Sequence, residues 1–202
     1  MERLLLVSFI LVGWLRGQTE ATQREEVKGM KEVLIIVDMQ RGFLEPGRPL
    51  YCGDAVREKV IPNVKELIEQ KLKEGAILIF TQDSHKPDDL EFKMWPPHCI
   101  EGTEEEEIVP ELAGYKGYRV KKRRYSAFFN TNLEEILNEI KPDKVTVCGV
   151  CTDICVLYTV ADLRNRDYPV EVYEKCVASF DPEAHEWALK HMEKILGVKV
   201  IR

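Results

Sequence analysis

Five apolar residues in a row, Val33-Leu34-Ile35-Ile36-Val37, stop at an aspartate, and no other stretch restricts the fold as much. A strand with one wet face alternates apolar and polar residues. A strand that is apolar throughout is covered on both faces, as in a parallel sheet between two helical layers. From Lys31 onward strand-like and helix-like segments take turns, as that arrangement requires. Strands are predicted at Val33–Val37, Ala76–Phe80, Tyr118–Lys122, Val145–Gly149, Val170–Tyr173 and Val198–Ile201.

Between them, Val64, Leu67, Ile68 and Leu72 keep helical spacing over Pro62–Lys73, with Gly75 as the stop. Thr131 and Glu134 read as a capping box for a helix over Leu133–Ile140, which Pro142 ends. Another helix follows Gly149 and runs to about Leu163. Asp181 as N-cap and Pro182 at the first helical position open the last one. That helix carries Ala184, Ala188, Leu189, Met192, Ile195 and Leu196 on one face up to Gly197. Residues 81–117 lack a long period and contain Pro87, Pro96 and Pro97, so they form a long functional loop. Within it, Glu104–Glu107 reads as a solvated acidic turn.

A chain of 202 residues suits one well-filled domain. Net charge −6, with a dense basic cluster only at Lys121–Arg124, argues against nucleic acid as a partner. Six cysteines are too sparse for a disulfide scaffold and fit a reducing, cytoplasmic setting. The apolar run Leu4–Leu15 is too short to span a bilayer. It also lacks a small-residue cleavage site. Arg24-Glu25-Glu26-Val27 can be encoded by a message containing GAGGAGGTG, a ribosome-binding sequence, shortly before Met30. The expectation is a native start at Met30, with residues 1–30 a non-native extension or a disordered leader and residues 31–202 the domain. Intact mass of the protein made from its own genomic context decides this, and a mass beginning at Met1 refutes it.

Ligands bind at the C-terminal tips of parallel strands. Three polar residues reach such tips in this scheme: Asp38, Lys122 and Cys155. An aspartate there can simply cap a helix, and a lysine can simply be solvated. Together they meet the needs of a nucleophilic thiol, a base for its proton and a cation that tolerates both charges. Cys148 and Cys151 flank the same strand-to-helix turn, where unpaired N–H groups lower a thiol pKa and hold an oxyanion. A second group, Asp83, His85, Glu91 and His98, combines imidazole and carboxylate in the manner of Zn²⁺, Mn²⁺ or Fe²⁺ sites with open positions. Asp83 and His85 point the same way from an extended segment. Cys99 faces away from its neighbour His98 and reads as packing. His185 and His191 do not share a helical face and read as structural or solvent-facing.

Five separated motifs resemble the isochorismatase-like cysteine hydrolases, and nicotinamidases most of all. They are Asp38-Met39-Gln40, Asp83-x-His85, Trp95-Pro96-Pro97-His98-Cys99-x-x-Gly102-Thr103, Lys122-x-x-Tyr125-Ser126-Ala127-Phe128 and Gly149-Val150-Cys151-Thr152-Asp153-x-Cys155-Val156. The resemblance runs from about Lys31 to Ile201. It implies a three-layer αβα, Rossmann-like fold with a six-stranded parallel sheet, and a catalytic triad of Cys155, Asp38 and Lys122. It further implies a cis peptide between Val150 and Cys151, with the N–H groups of Cys151 and Cys155 as the oxyanion hole. The metal ligands it implies are Asp83, His85 and His98, with Glu91 at a variable fourth place. Phe43, Trp95 and Tyr125 fall at the aromatic walls of a pyridine site.

The activity that the resemblance implies is hydrolysis of nicotinamide to nicotinate and ammonia in NAD salvage. One divalent ion takes part, Zn²⁺ first with Mn²⁺ and Fe²⁺ as alternatives, in a homo-oligomer that engages neither membrane nor nucleic acid. Rival readings are a hydrolase of another small amide or carbamoyl compound, a non-catalytic binding protein on the same fold, and an exported or envelope-anchored protein, which depends wholly on residues 1–16. Many relatives carry Ala or Leu in place of Cys151. Its thiol gives the nucleophile a partner for a reversible disulfide under oxidation.

Overall fold

The computed structural model describes residues 29–202, so expectations about residues 1–28 lie outside the described residues. The sheet has six parallel strands in the order β3-β2-β1-β4-β5-β6. They are β1 (Glu32–Val37), β2 (Ile77–Asp83), β3 (Tyr118–Lys122), β4 (Lys144–Val150), β5 (Val170–Ala178) and β6 (Lys199–Ile201). Strand order reverses beside β1, where the chain steps back across it to lay β4 on the other side. That is the switch point at which such sheets open a crevice.

Val33–Val37 are all fully buried, alternating between two cores. Val33, Ile35 and Val37 meet α4 (Leu133–Ile140), α5 (Leu157–Arg164) and α6 (Pro182–Lys194). Leu34 and Ile36 meet α2 (Asp54–Lys73), through Val60, Val64, Leu67 and Ile68, and the strap that carries α3 (Pro110–Ala113). A short α1 (Arg41–Leu44) follows β1 directly. Burying an aliphatic side chain is worth roughly 1.5–3 kcal/mol, so this run anchors both layers. Cys148 packs in the second core, as expected.

Several boundaries differ from the sequence reading. Helix α2 starts at Asp54 and carries Pro62 in its interior. Val56 and Val60 continue the buried row of Val64, Leu67 and Ile68, and their burial outweighs the hydrogen bond that proline removes, a loss of about 3 kcal/mol. Strands β2 and β5 run on to Asp83 and Ala178. The extra residues of β2 are polar, Thr81, Gln82 and Asp83, yet they pair with Val120, Lys121 and Lys122 and are buried. The Thr131 hydroxyl accepts from Leu133 N–H at 3.2 Å in a turn before α4 instead of capping its third residue, and Asn132 is the cap. At α6 the Asp181 carboxylate caps the N–H groups of Glu183 and Ala184 as predicted, but Ile195 lies beyond the helix and is exposed.

Gly149 of β4 pairs with Val37 of β1 and has φ +115°. A Cβ there would lie 2.0 Å from the Val37 carbonyl oxygen. Gly149→Ala is therefore expected to lose at least about 3 kcal/mol from backbone strain and overpacking together. Denaturant unfolding reads the loss, and a value under about 1 kcal/mol, the ordinary cost of a substitution, shows that the strands part easily.

Candidate active site

The C-terminal tips of β1, β2 and β3 and the turn after β4 converge. Asp38, at φ +48°, leaves β1 in a left-handed conformation that aspartate tolerates better than most residues. Its N–H donates to Thr81 Oγ1 at 3.2 Å, and the Thr81 hydroxyl donates to Asp38 Oδ1 at 2.6 Å. Lys122 Nζ lies 2.7 Å from Asp38 Oδ2, 2.5 Å from Asp83 Oδ1 and 3.4 Å from Cys155 Sγ. All four groups are buried. Cys155 stands on a single π-helical turn, Thr152–Val156, between β4 and α5. Such turns interrupt helices at functional positions. The Val150–Cys151 peptide before it is cis.

Burial works to lower the Lys122 pKa, but Asp38 and Asp83 together push it well above its ordinary value, so the ammonium stays charged. Asp83 opposes burial with Lys122 and the two histidines and falls well below the carboxylate range. Asp38 is raised by burial, which outweighs Lys122. Burial also pushes the Cys155 thiol up against the pull of Lys122. The resting arrangement is a protonated thiol beside a carboxylate of increased proton affinity. Asp38, Asp83 and Cys155 present their polar atoms within 4.8 Å of one another, which sets the Asp38 carboxylate beside the thiol.

Asp83, His85 and His98 form a second buried group, with one ligand atom each within 4.8 Å of the others. His85 Nδ1 is held by Asp89 Oδ2 at 3.2 Å and His98 Nδ1 by the Pro96 carbonyl at 2.9 Å. Those bonds place the proton on Nδ1 and leave each Nε2 lone pair free, 3.8 Å from Asp83 Oδ2. His85 Nε2 has no hydrogen-bond partner among the described residues although it is buried. An orphaned imidazole nitrogen, a second imidazole and a carboxylate are a donor set that fits one divalent ion. Glu91 stands beside this group rather than in it. It is buried on the turn Leu90–Lys93, lines the cavity, is pushed up by burial and by Asp83, and has Oε2 3.7 Å from Arg124.

Between the thiol and this group lies a cavity of about 240 Å³. Phe43, Trp95 and Tyr125 line it as expected, and Trp95 Nε1–H donates to the Tyr125 hydroxyl at 3.0 Å. Phe180, half exposed beside Trp95, and Cys52, 3.5 Å from Cys151 sulfur to sulfur, also line it. Phe180 falls in the segment Ala178-Ser179-Phe180, which also resembles the family, whereas Cys52 carries no sequence signal, because only tertiary packing brings it there. Thr81 and Asp89 escape sequence reasoning too, since both read as loop. Gln40 belongs to a motif that by itself gives it no task. Its buried amide donates to the Asp83 and Glu106 carbonyls, both at 2.9 Å, and accepts from Asp83 N–H at 2.7 Å, fixing the tip of β2.

The acidic turn is only half solvated, contrary to expectation. The Glu105 carboxylate accepts from Cys99 N–H, while buried Glu106 accepts from Gly102 N–H and pairs with Lys121 at 2.6 Å. Cys99 packs in the core. His191 stacks on Trp187, and His185 is buried with Nδ1 2.8 Å from Thr152 Oγ1.

Burial, with Lys59 in support, holds the His185 pKa below its ordinary value. Above the unfolded value of about 6.5 both states are neutral and stability is complete; as pH falls below it, the unfolded chain binds a proton the folded one resists. Melting temperature should therefore drop between pH 7 and pH 5, and less so in His185→Gln. An equal drop in both would remove His185 from the acid sensitivity.

A family model described as the isochorismatase domain matches residues 32–201, nearly the whole described chain. This chain belongs to the isochorismatase family of hydrolases. Nicotinamidase PncA from Bacillus subtilis superposes with a TM-score of 0.80 at 34% identity, covering 86% of this chain and 100% of that one. A pyrazinamidase of Pyrococcus horikoshii, solved in complex with zinc, gives 0.77 at 32% identity over 85% and 98% of the two chains. N-carbamoylsarcosine amidase from Thermoplasma acidophilum gives 0.76 at 32% identity over 86% and 96%. Among the described residues no helix is long and apolar enough to cross a membrane.

Proposed function

We propose that this hydrolase is a nicotinamidase that releases ammonia from nicotinamide and serves the recovery of the pyridine for NAD in the cytoplasm. The observation that carries the reading is the lining of the cavity. Aromatic and aliphatic walls lead from Cys155 to Asp83 and His98, and among the described residues no lysine or arginine lines the space. Such a site suits a flat, neutral amide. Isochorismate carries two carboxylates and N-carbamoylsarcosine one, and among the described residues the cavity offers no lysine or arginine to pair with them. The similarity to nicotinamidase and pyrazinamidase structures supports the same choice.

Asp38 takes the Cys155 proton as the sulfur attacks the amide carbon. Lys122 keeps the carboxylate and the developing thiolate at close quarters. The N–H groups of Cys151 and Cys155 receive the oxyanion, each worth on the order of 10²-fold in rate. Asp38 returns its proton to the leaving ammonia and then draws one from the water that cleaves the thioester. Phe43, Trp95 and Tyr125 hold the ring. Asp83, His85 and His98, with Glu91 beside them, would hold a divalent ion, which would supply a Lewis acid for the pyridine nitrogen.

The test is ammonia release from nicotinamide by protein loaded in turn with Zn²⁺, Mn²⁺ and Fe²⁺, beside chelated protein and Asp38→Asn. Turnover that falls to background on chelation, and in Asp38→Asn despite a native circular dichroism spectrum, is the expected result. A folded, metal-loaded sample inert on nicotinamide but active on a carbamoyl compound moves the reading to that substrate; inertness on all of them leaves a binding protein. Benzamide, which lacks the ring nitrogen, should be at least ten-fold poorer than nicotinamide.

A further inference from the structure

We propose that Cys52 and Cys151 are a modification site, a dithiol in the cavity wall that hydroperoxides close to a disulfide, thereby switching off the adjacent nucleophile. The two residues are 99 positions apart in sequence, yet their sulfurs lie 3.5 Å apart, and both are free, buried thiols. A disulfide needs about 2.05 Å, so an approach of roughly 1.5 Å completes the bond. The sulfur that faces Cys151 is thus Cys52, and not the nucleophile with which a sequence reading paired it. Both face the cavity that holds Cys155, so a small oxidant that reaches the substrate's place reaches them. Cys99, Cys148 and Cys176 do not line that cavity.

Cys52 is the attacking thiol of the proposed step. The hydrogen bond between the two sulfurs lowers its pKa, whereas that bond and burial push Cys151 well up. Thiolate character controls attack on peroxide. The Cys52 thiolate attacks one oxygen of hydrogen peroxide; an S–O bond forms, the O–O bond breaks, and the second oxygen leaves as water with the proton Cys52 gave up. The Cys151 sulfur then attacks the Cys52 sulfenic acid; the S–S bond forms, the S–O bond breaks, and the hydroxide leaves as water with the Cys151 proton. Two electrons pass from two thiols to one peroxide, giving two water molecules.

The position of the bond makes it consequential. Cys52 N–H donates to the Phe43 carbonyl at 2.9 Å, so the residue is tied to α1, which bears an aromatic wall. Cys151 opens the turn that presents Cys155. Drawing the two sulfurs together shifts the wall against the turn and moves the Cys151 N–H. The predicted loss of turnover rests on the proposed oxyanion role, whereas the disulfide itself does not.

The experiment treats purified full-length protein with graded hydrogen peroxide, traps free thiols with iodoacetamide and maps peptides by mass spectrometry without reduction. The expected result is a Cys52–Cys151 linked peptide, free thiols falling from six to four, and at least a ten-fold drop in turnover that dithiothreitol reverses. Cys52→Ser and Cys52→Ala, each compared with its own untreated rate, should lose their reversible sensitivity. A Cys151–Cys155 link, or oxidation of Cys155 alone with Cys52 still alkylated, overturns the proposal. Mapping reads the bond directly, so a protein inert on nicotinamide that still forms the link sinks the nicotinamidase reading and leaves the dithiol standing. A linked protein with undiminished turnover keeps the disulfide and removes the switch.

Discussion

Cys155→Ala should release no ammonia above background, a loss on the order of 10⁴-fold or more, the scale on which removal of a catalytic nucleophile acts. The substitution is mild for the fold. It removes one sulfur from a residue that is 7% exposed at the edge of a cavity, so the melting temperature should stay within a few degrees of the parent. The decisive measurement is mass spectrometry during turnover. The parent protein should carry an acyl group on Cys155, and Cys155→Ala should carry none. An alanine variant that retains a tenth of the activity would show that water attacks the amide directly and that the thiol is a bystander.

Lys122→Met should cost about 3–5 kcal/mol of stability and all of the activity, because it strands two buried carboxylates, Asp38 and Asp83, without their cation. Most of that cost is like-charge repulsion in a dry site and only a minor part is lost packing, since methionine fills much of the lysine's volume. Adding Asp38→Asn removes one of the two charges, so the double variant should be more stable than Lys122→Met alone. Such coupling is what a shared charge network produces. Urea unfolding of the four proteins closes the cycle, and strictly additive losses would deny that the three groups act as a unit.

Asp38 and Lys122 were legible in the sequence because each ends a predicted strand, and strand tips of a parallel sheet point into one crevice. His85 and His98 were legible because histidine beside carboxylate in a proline-rich strap has few structural uses. Gln40, Thr81 and Asp89 were not, since a polar residue at the end of a strand looks like the start of a loop. Thr81 is buried where β2 pairs with β3, a contact over about forty residues of chain that no local pattern records. Pro62 misled for a related reason: local propensity places it at a helix start, whereas the buried row Val56, Val60 and Val64 carries the helix through it. Cys52 had no signal at all.

The alternation of buried runs with amphipathic segments, read by itself, determined a parallel sheet between two helical layers. The reason is that burial on both faces leaves a strand no polar positions. The five motifs pointed to the family, which the family model bears out, and to the groups proposed to carry the chemistry. Only the tertiary structure decided how those groups share charge. One ammonium stands between two carboxylates and a thiol, both imidazoles turn their Nε2 atoms toward Asp83, and Cys151 meets Cys52 rather than Cys155. Distances of a few ångströms set those interactions, and the contacts of Lys122 and the Cys52–Cys151 pair link residues 33 to 99 positions apart, beyond the reach of any sequence period.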